Sequence, residues 1–168
     1  SGTWTQTGTI SRPYSQTASE DLESFGYELN LSFDGSVLAV GDPFDEAFKG
    51  SVSVFQDING TWNQIGNKLI GQETDTGLGH FFGQQLQLSA DGTELIVGVG
   101  KGLYFISRDT GAIGEAKIYQ NLNGTWVEIE AFLTGESPTD LVGSSVSISA
   151  DGSVLAVGAS LNDGSGID

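Results

Sequence analysis

The sequence predicts an all-β chain, because one pattern of short strands and glycine turns is written into it three times. Two markers carry the repeat. Asp-Gly pairs stand at 34, 91 and 151, spacings of 57 and 60 residues, each between an alternating segment and an apolar run. Gly-Thr-Trp recurs at 2–4, 60–62 and 124–126. Two independent markers in a fixed order identify a repeat architecture.

Each unit reads as four antiparallel strands. The first alternates, with Leu29, Leu31 and Phe33, then Leu86 and Leu88, then Val146 and Ile148. Period two is the pattern of a half-buried strand. Asp-Gly then makes a tight hairpin, since glycine accepts the positive φ such turns need. The second strand is a nearly continuous apolar run, Val37-Leu38-Ala39-Val40 in the first unit, as expected of an element buried on both faces. The third strand is 51–55, matched by 116–119, and Asn59-Gly60 and Asn123-Gly124 form the next hairpins. The fourth starts at Trp62 or Trp126 and continues to Ile65 or Ile129. No long amphipathic helix is written anywhere.

Four strands in a repeated unit of about 60 residues predict the blades of a β-propeller. A blade cannot bury both faces alone, so neighbours must supply the packing. The expected units are 25–81, 82–141 and 142–168, with 1–24 supplying the last strand of a preceding blade. That makes about three blades, a partial propeller, so further blades are expected from the same polypeptide or from other copies of the chain. The recurring Trp4, Trp62 and Trp126 are expected to pack between blades.

Composition limits the function. The 168 residues carry 6 Lys and Arg against 22 Asp and Glu, a formal net charge of -16. That field opposes contact with phosphates, which argues against nucleic acid and anionic membrane surfaces. With 38% hydrophobic and 10% aromatic residues the chain is no disordered acidic tail. There is no cysteine, hence no disulfide, thiolate nucleophile or Cys-based zinc site. No apolar run approaches the roughly 18 residues of a membrane span, so no membrane insertion is expected.

The candidate site lies in the loops. From Gly41 to Gly50 is 9 residues, but from Gly98 to Gly114 is 16. The fourth-to-first-strand links differ too, whereas the Gly-turn hairpins are uniform. In a propeller the two variable loop classes share one face, and their variation reads either as a recognition surface on a rigid scaffold or as loops that simply tolerate drift. Asp42, Asp45 and Glu46 form an acidic loop, which reads either as a holder of a cationic ligand or as a solvated surface. Tyr104 and Phe105, in the longer loop, are candidates for an apolar contact. Arg108, Asp109, Asn162 and Asp163 complete the loop candidates.

No catalytic constellation stands out. His80, the only histidine, precedes Phe81 and Phe82 and reads as a packing residue. There is no Gly-x-Ser-x-Gly elbow, and 98–102 lacks the spacing of a phosphate loop. The expectation is a protein that is not an enzyme. Asn30, Asn59 and Asn123 head Asn-x-Ser/Thr sequons, so a glycoprotein is expected if the chain passes through a eukaryotic secretory route.

The chain resembles the FG-GAP repeat, the blade unit of integrin α-subunit β-propellers. Its "FG" is Phe25-Gly26, Phe82-Gly83 and, relaxed, Val142-Gly143; its "GAP" is Gly41-Asp42-Pro43, Gly98-Val99-Gly100 and Gly158-Ala159-Ser160. The resemblance implies a propeller of about six or seven blades, an extracellular location and non-catalytic adhesion. Some family blades carry a calcium loop between these elements. Anchored on Asp34-Gly35, its first, third and ninth ligand positions become Asn30, Ser32 and Leu38. The second unit offers Gln87, Ser89 and Leu95, and the third Ser147, Ser149 and Leu155. Calcium takes six to eight oxygens, several from carboxylates, so no calcium site or other cofactor is expected. Asp34, Asp91 and Asp151 read as turn residues.

The function expected is a secreted or cell-surface adhesion module that presents blade loops to a protein or glycan ligand. The alternative is a structural building unit of an extracellular filament or matrix, assembled through blade edges.

Overall fold

The structure, a computed structural model, describes residues 3–6, 8–13, 23–72, 81–99, 114–137, 140–162 and 164. These residues are nearly all β, in three antiparallel sheets. The first holds β1 (Leu29–Leu31), β2 (Val37–Asp42), β3 (Ser51–Ile58) and β4 (Thr61–Gln64), in that order. A short β5 (Leu69–Ile70) pairs with the start of β3, beyond β4. The second sheet holds β6 (Gln85–Leu88), β7 (Glu94–Val99), β8 (Glu115–Leu122) and β9 (Thr125–Thr134), again in chain order. The third is the pair β10 (Val142–Ile148) and β11 (Leu155–Ala159).

The same turn opens every sheet. The Ser32 hydroxyl donates to Asp34 Oδ1 at 2.8 Å, and that oxygen also accepts from the Ser36 N–H at 2.9 Å. Ser89, Asp91 and Thr93 repeat the arrangement, as do Ser149, Asp151 and Ser153. Thus Ser-x-Asp-Gly-Ser/Thr is a self-contained unit: the carboxylate satisfies the turn's own donors. The second hairpin type is Asn-Gly with both residues at positive φ, 54° and 85° at Asn59 and Gly60, 56° and 86° at Asn123 and Gly124. Those angles match the twist of the flanking strands.

The sheets stack face to face. Val37, Ala39, Val52 and Val54 of the first sheet pack on Leu86, Leu88, Leu95 and Val97 of the second. On its opposite face the second sheet sets Ile96, Ala116 and Ile118 against Ile148 of the third. Alternation along β7 explains this two-sided burial, since Leu95 and Val97 face one neighbour and Ile96 the other.

The stacking is also tied by hydrogen bonds. The Phe33 N–H donates to the Ala90 carbonyl and the Ala90 N–H to the Ala150 carbonyl, both at 2.9 Å. Asn30 Oδ1 accepts from the Leu88 N–H at 2.9 Å, and Gln87 Oε1 from the Ile148 N–H at 3.1 Å. Residue 30 therefore does for the first joint what residue 87 does for the second.

The described residues of 3–13 are in no strand. One expectation changes. The three tryptophans are not equally packed: Trp126 is buried, Trp62 half-buried and Trp4 98% exposed. A packing role needs a neighbouring sheet, and the described residues bring none over Trp4.

Candidate functional site

The loop joining β2 to β3 is built on buried ions. Asp42 ends β2 with its side chain shut off from solvent, where it accepts hydrogen bonds from Arg12 and the Ser24 hydroxyl. Ser24 in turn accepts from the Phe44 N–H at 2.9 Å, which fixes the start of the loop. Asp45, also buried, accepts from the Ser51 hydroxyl at 2.7 Å and from Lys68 Nζ at 2.8 Å. Lys68 bridges onward to Glu46 at 2.7 Å. Burial is the largest influence on Asp45 and pushes its pKa up, but Lys68 and Ser51 together outweigh it and hold the carboxyl below its usual value. Asp42 and Asp45 are thus internal struts. A buried carboxylate persists only with such partners.

Just after the second strut the backbone is strained. Asp45–Phe48 is a single helical turn in which Glu46, Ala47 and Phe48 take φ of 51°, 56° and 69°. Three successive left-handed residues with side chains cost roughly 1–2 kcal/mol each. The ion pairs and ring contacts hold the turn.

Those rings form the feature that the sequence concealed. Phe44 sits 6.0 Å from Phe48 and 5.9 Å from Phe81, and Phe48 lies 5.8 Å from Phe81. Tyr27 joins at 6.2 Å from Phe44 and is half exposed. Phe81 belongs to the approach to the second sheet, and its N–H donates to the Phe48 carbonyl at 3.0 Å. The β2–β3 loop of one sheet and the approach to the next therefore meet at one end, as the two variable loop classes were expected to do. Two aromatics within the nine-residue loop were the available signal.

Compared with known proteins, the chain matches no family model and no curated protein. The site is therefore read from its own residues.

The remaining predicted residues fall as follows. Tyr104, Phe105, Arg108, Asp109, Asp163 and His80 lie outside the described residues. Asn162 is exposed and accepts from the Gly164 N–H at 2.8 Å, closing a small turn. Asn59 and Asn123 head exposed turns, accessible to a glycan. Asn30 is half-buried and its amide oxygen is engaged by Leu88. Of the calcium-loop positions in the first unit, Asn30 Oδ1 accepts from the Leu88 N–H, the Ser32 hydroxyl donates to Asp34, and Leu38 is apolar. Among the described residues no group of three or more His, Asp or Glu could hold a metal ion.

Proposed function

We propose that the chain is a β-propeller segment of the FG-GAP type, working as a non-catalytic adhesion module at the cell surface or in secreted form. It offers its loop end to a protein or glycan ligand. The observation that carries this reading is the cluster of Tyr27, Phe44 and Phe48, packed on the buried Phe81 at the end where the variable loops meet. Aromatic faces supply large, rigid contact area to sugar C–H groups and to protein hot spots. The strained turn under Phe48 supports it too, because such strain gathers at ligand-contact sites. The chain-order antiparallel sheets and their repeated joints support the propeller reading.

The test is binding of the chain to an immobilised glycan array and to a panel of extracellular-matrix proteins. At least one should bind, and Phe44→Ala or Tyr27→Ala should weaken it by about tenfold or more. Binding unchanged in both variants would place the ligand elsewhere. Hydrolysis of a bound glycan would contradict a non-catalytic role.

A further inference from the structure

Two hairpin turns of this chain hold a reactive dipeptide. Asn59-Gly60 and Asn123-Gly124 are the places where an asparagine precedes a glycine. All four residues are exposed and stand at positive φ. Nothing lies within 4 Å of a β-carbon position at Gly60 or Gly124, so the space beside each glycine is open. The surrounding sequences are nearly the same, Asp57-Ile58-Asn59-Gly60-Thr61-Trp62 against Asn121-Leu122-Asn123-Gly124-Thr125-Trp126. What differs is the group that holds the glycine N–H. The Gly60 N–H donates to the Asp57 carboxylate at 2.7 Å, and the Gly124 N–H to the Asn121 amide oxygen at 2.7 Å.

That glycine nitrogen is also a nucleophile. When it attacks the asparagine Cγ, an N–Cγ bond forms, the Cγ–Nδ2 bond breaks, and ammonia leaves with the nitrogen's proton. Water then opens the cyclic imide at either carbonyl, giving aspartate or isoaspartate, in which the chain runs through Cβ. Glycine favours the closure because no side chain hinders its nitrogen. Closure must first break the hydrogen bond that the N–H makes in the turn. A bond to a carboxylate is roughly twice as strong as one to a neutral oxygen. The Asp57 carboxylate therefore holds its turn more firmly than the Asn121 amide does.

We propose that Asn123 is a site of spontaneous conversion to aspartate and isoaspartate, and that Asn59 is the slower of the two. The Asp-Gly turns at 34, 91 and 151 stay out of this chemistry. Closure at an aspartate needs a neutral carboxyl, and hydrogen bonds hold all three carboxyls below their usual value, first from the Ser36 N–H, the Ser89 hydroxyl and the Ser149 hydroxyl. Conversion at Asn123 has a place to act. The Gly124 carbonyl lies 2.9 Å from where a Gly66 β-carbon would stand, so this turn rests on the segment that follows β4. Isoaspartate adds a backbone atom and a charge there, which loosens that seat. It also removes the Asn-Gly-Thr sequon, so the conversion and a glycan on Asn123 exclude each other. The proposal is independent of the ligand at the loop end.

The test is incubation of the whole chain in mildly alkaline buffer, with samples digested over time and the Asn59 and Asn123 peptides followed by mass spectrometry. A protein isoaspartate methyltransferase tells isoaspartate from aspartate. Asn123 should convert about tenfold faster than Asn59. In concentrated urea the turn bonds are gone, and the two nearly identical sequences should convert within about twofold of each other. Asp57→Asn should raise the Asn59 rate to that of Asn123, and Asn121→Asp should lower the Asn123 rate to that of Asn59. Circular dichroism checks that each variant is folded, and the comparison of folded with urea-unfolded wild type needs no variant.

An Asn123 that stays intact in the folded chain while the urea-unfolded chain converts would overturn the proposal. So would equal rates at the two folded turns, a faster Asn59, or a ratio that exchanging the acceptors at 57 and 121 leaves unchanged. Conversion at Asp34, Asp91 or Asp151 as fast as at Asn123 would overturn it as well, because the turn acceptors would then not govern the chemistry.

Discussion

The indole of Trp126 lies against Gly66, its Cδ1 3.1 Å from where a β-carbon would stand, and Trp62 lies against Gly8 in the same way at 3.5 Å. One tryptophan-on-glycine contact thus joins the second sheet to the first, and the first to the segment 8–13. The segment repeats the unit's fourth-strand contact even though it pairs with no strand.

Gly66→Ala should therefore destabilise the fold. Gly66 sits at φ +74°, and a methyl there would also press on the Gly124 carbonyl at 2.9 Å. The expected loss is about 1–3 kcal/mol in urea unfolding. Gly8→Ala meets only ordinary contact distances and should cost less than about 1 kcal/mol. Equal losses would contradict the difference drawn between the two sites.

The Arg12–Asp42 pair predicts a non-additive mutant series. Asp42 is almost wholly buried and Arg12 nearly so. Removing Arg12 takes the cation away from the buried Asp42 carboxylate, so Arg12→Met should cost about 3–5 kcal/mol. The double variant Arg12→Met, Asp42→Leu removes both charges and should recover much of that loss. The denaturation midpoints decide it: a double variant less stable than either single one contradicts the account.

The turn carboxylates predict an acid-sensitive element. Asp151 is drawn down to about 2, first by the Ser149 hydroxyl and then by Ser153. Asp91 is lowered chiefly by Ser89, and Asp34 chiefly by the Ser36 N–H. A folded-state pKa below the usual 3.8 means that each turn's contribution is fully present above that value. It is lost as pH falls toward the lowered value, for Asp151 between 3.8 and about 2. Carboxyl NMR titration should find Asp151 low in the wild type and shifted toward 3.8 in Ser149→Ala. An unshifted titration in that variant would exclude the hydroxyl as the cause.

Much of the framework was legible in the sequence, because strands and hairpins are local. Alternation at Leu86 and Leu88 and the Asp-Gly and Asn-Gly turns stand where the structure has them. What was illegible is what the fold brings together from a distance. Arg12 and Lys68 are 30 and 23 residues from the carboxylates they reach. With only 6 basic residues in the chain, two of them are committed to one loop. Asp42, Asp45 and Glu46 therefore read as a holder of a cationic ligand or as a solvated acidic surface until those cations are placed. The ring cluster was hidden for the same reason, since Tyr27, Phe44 and Phe81 belong to three separate loops. That the Asn30 amide links two sheets was not legible from its sequon or its place in the repeat.

The central claim is that one joint is used twice, and hydrogen exchange at two amides tests it most directly. The Leu88 N–H rests on Asn30 and the Ile148 N–H on Gln87. Both should be protected in the wild type. Asn30→Ala should speed exchange at Leu88 by about tenfold while leaving Ile148 protected, and Gln87→Ala should do the reverse. Wild-type amides that exchange as freely as exposed ones, or variants that alter both sites alike, would contradict a repeated joint.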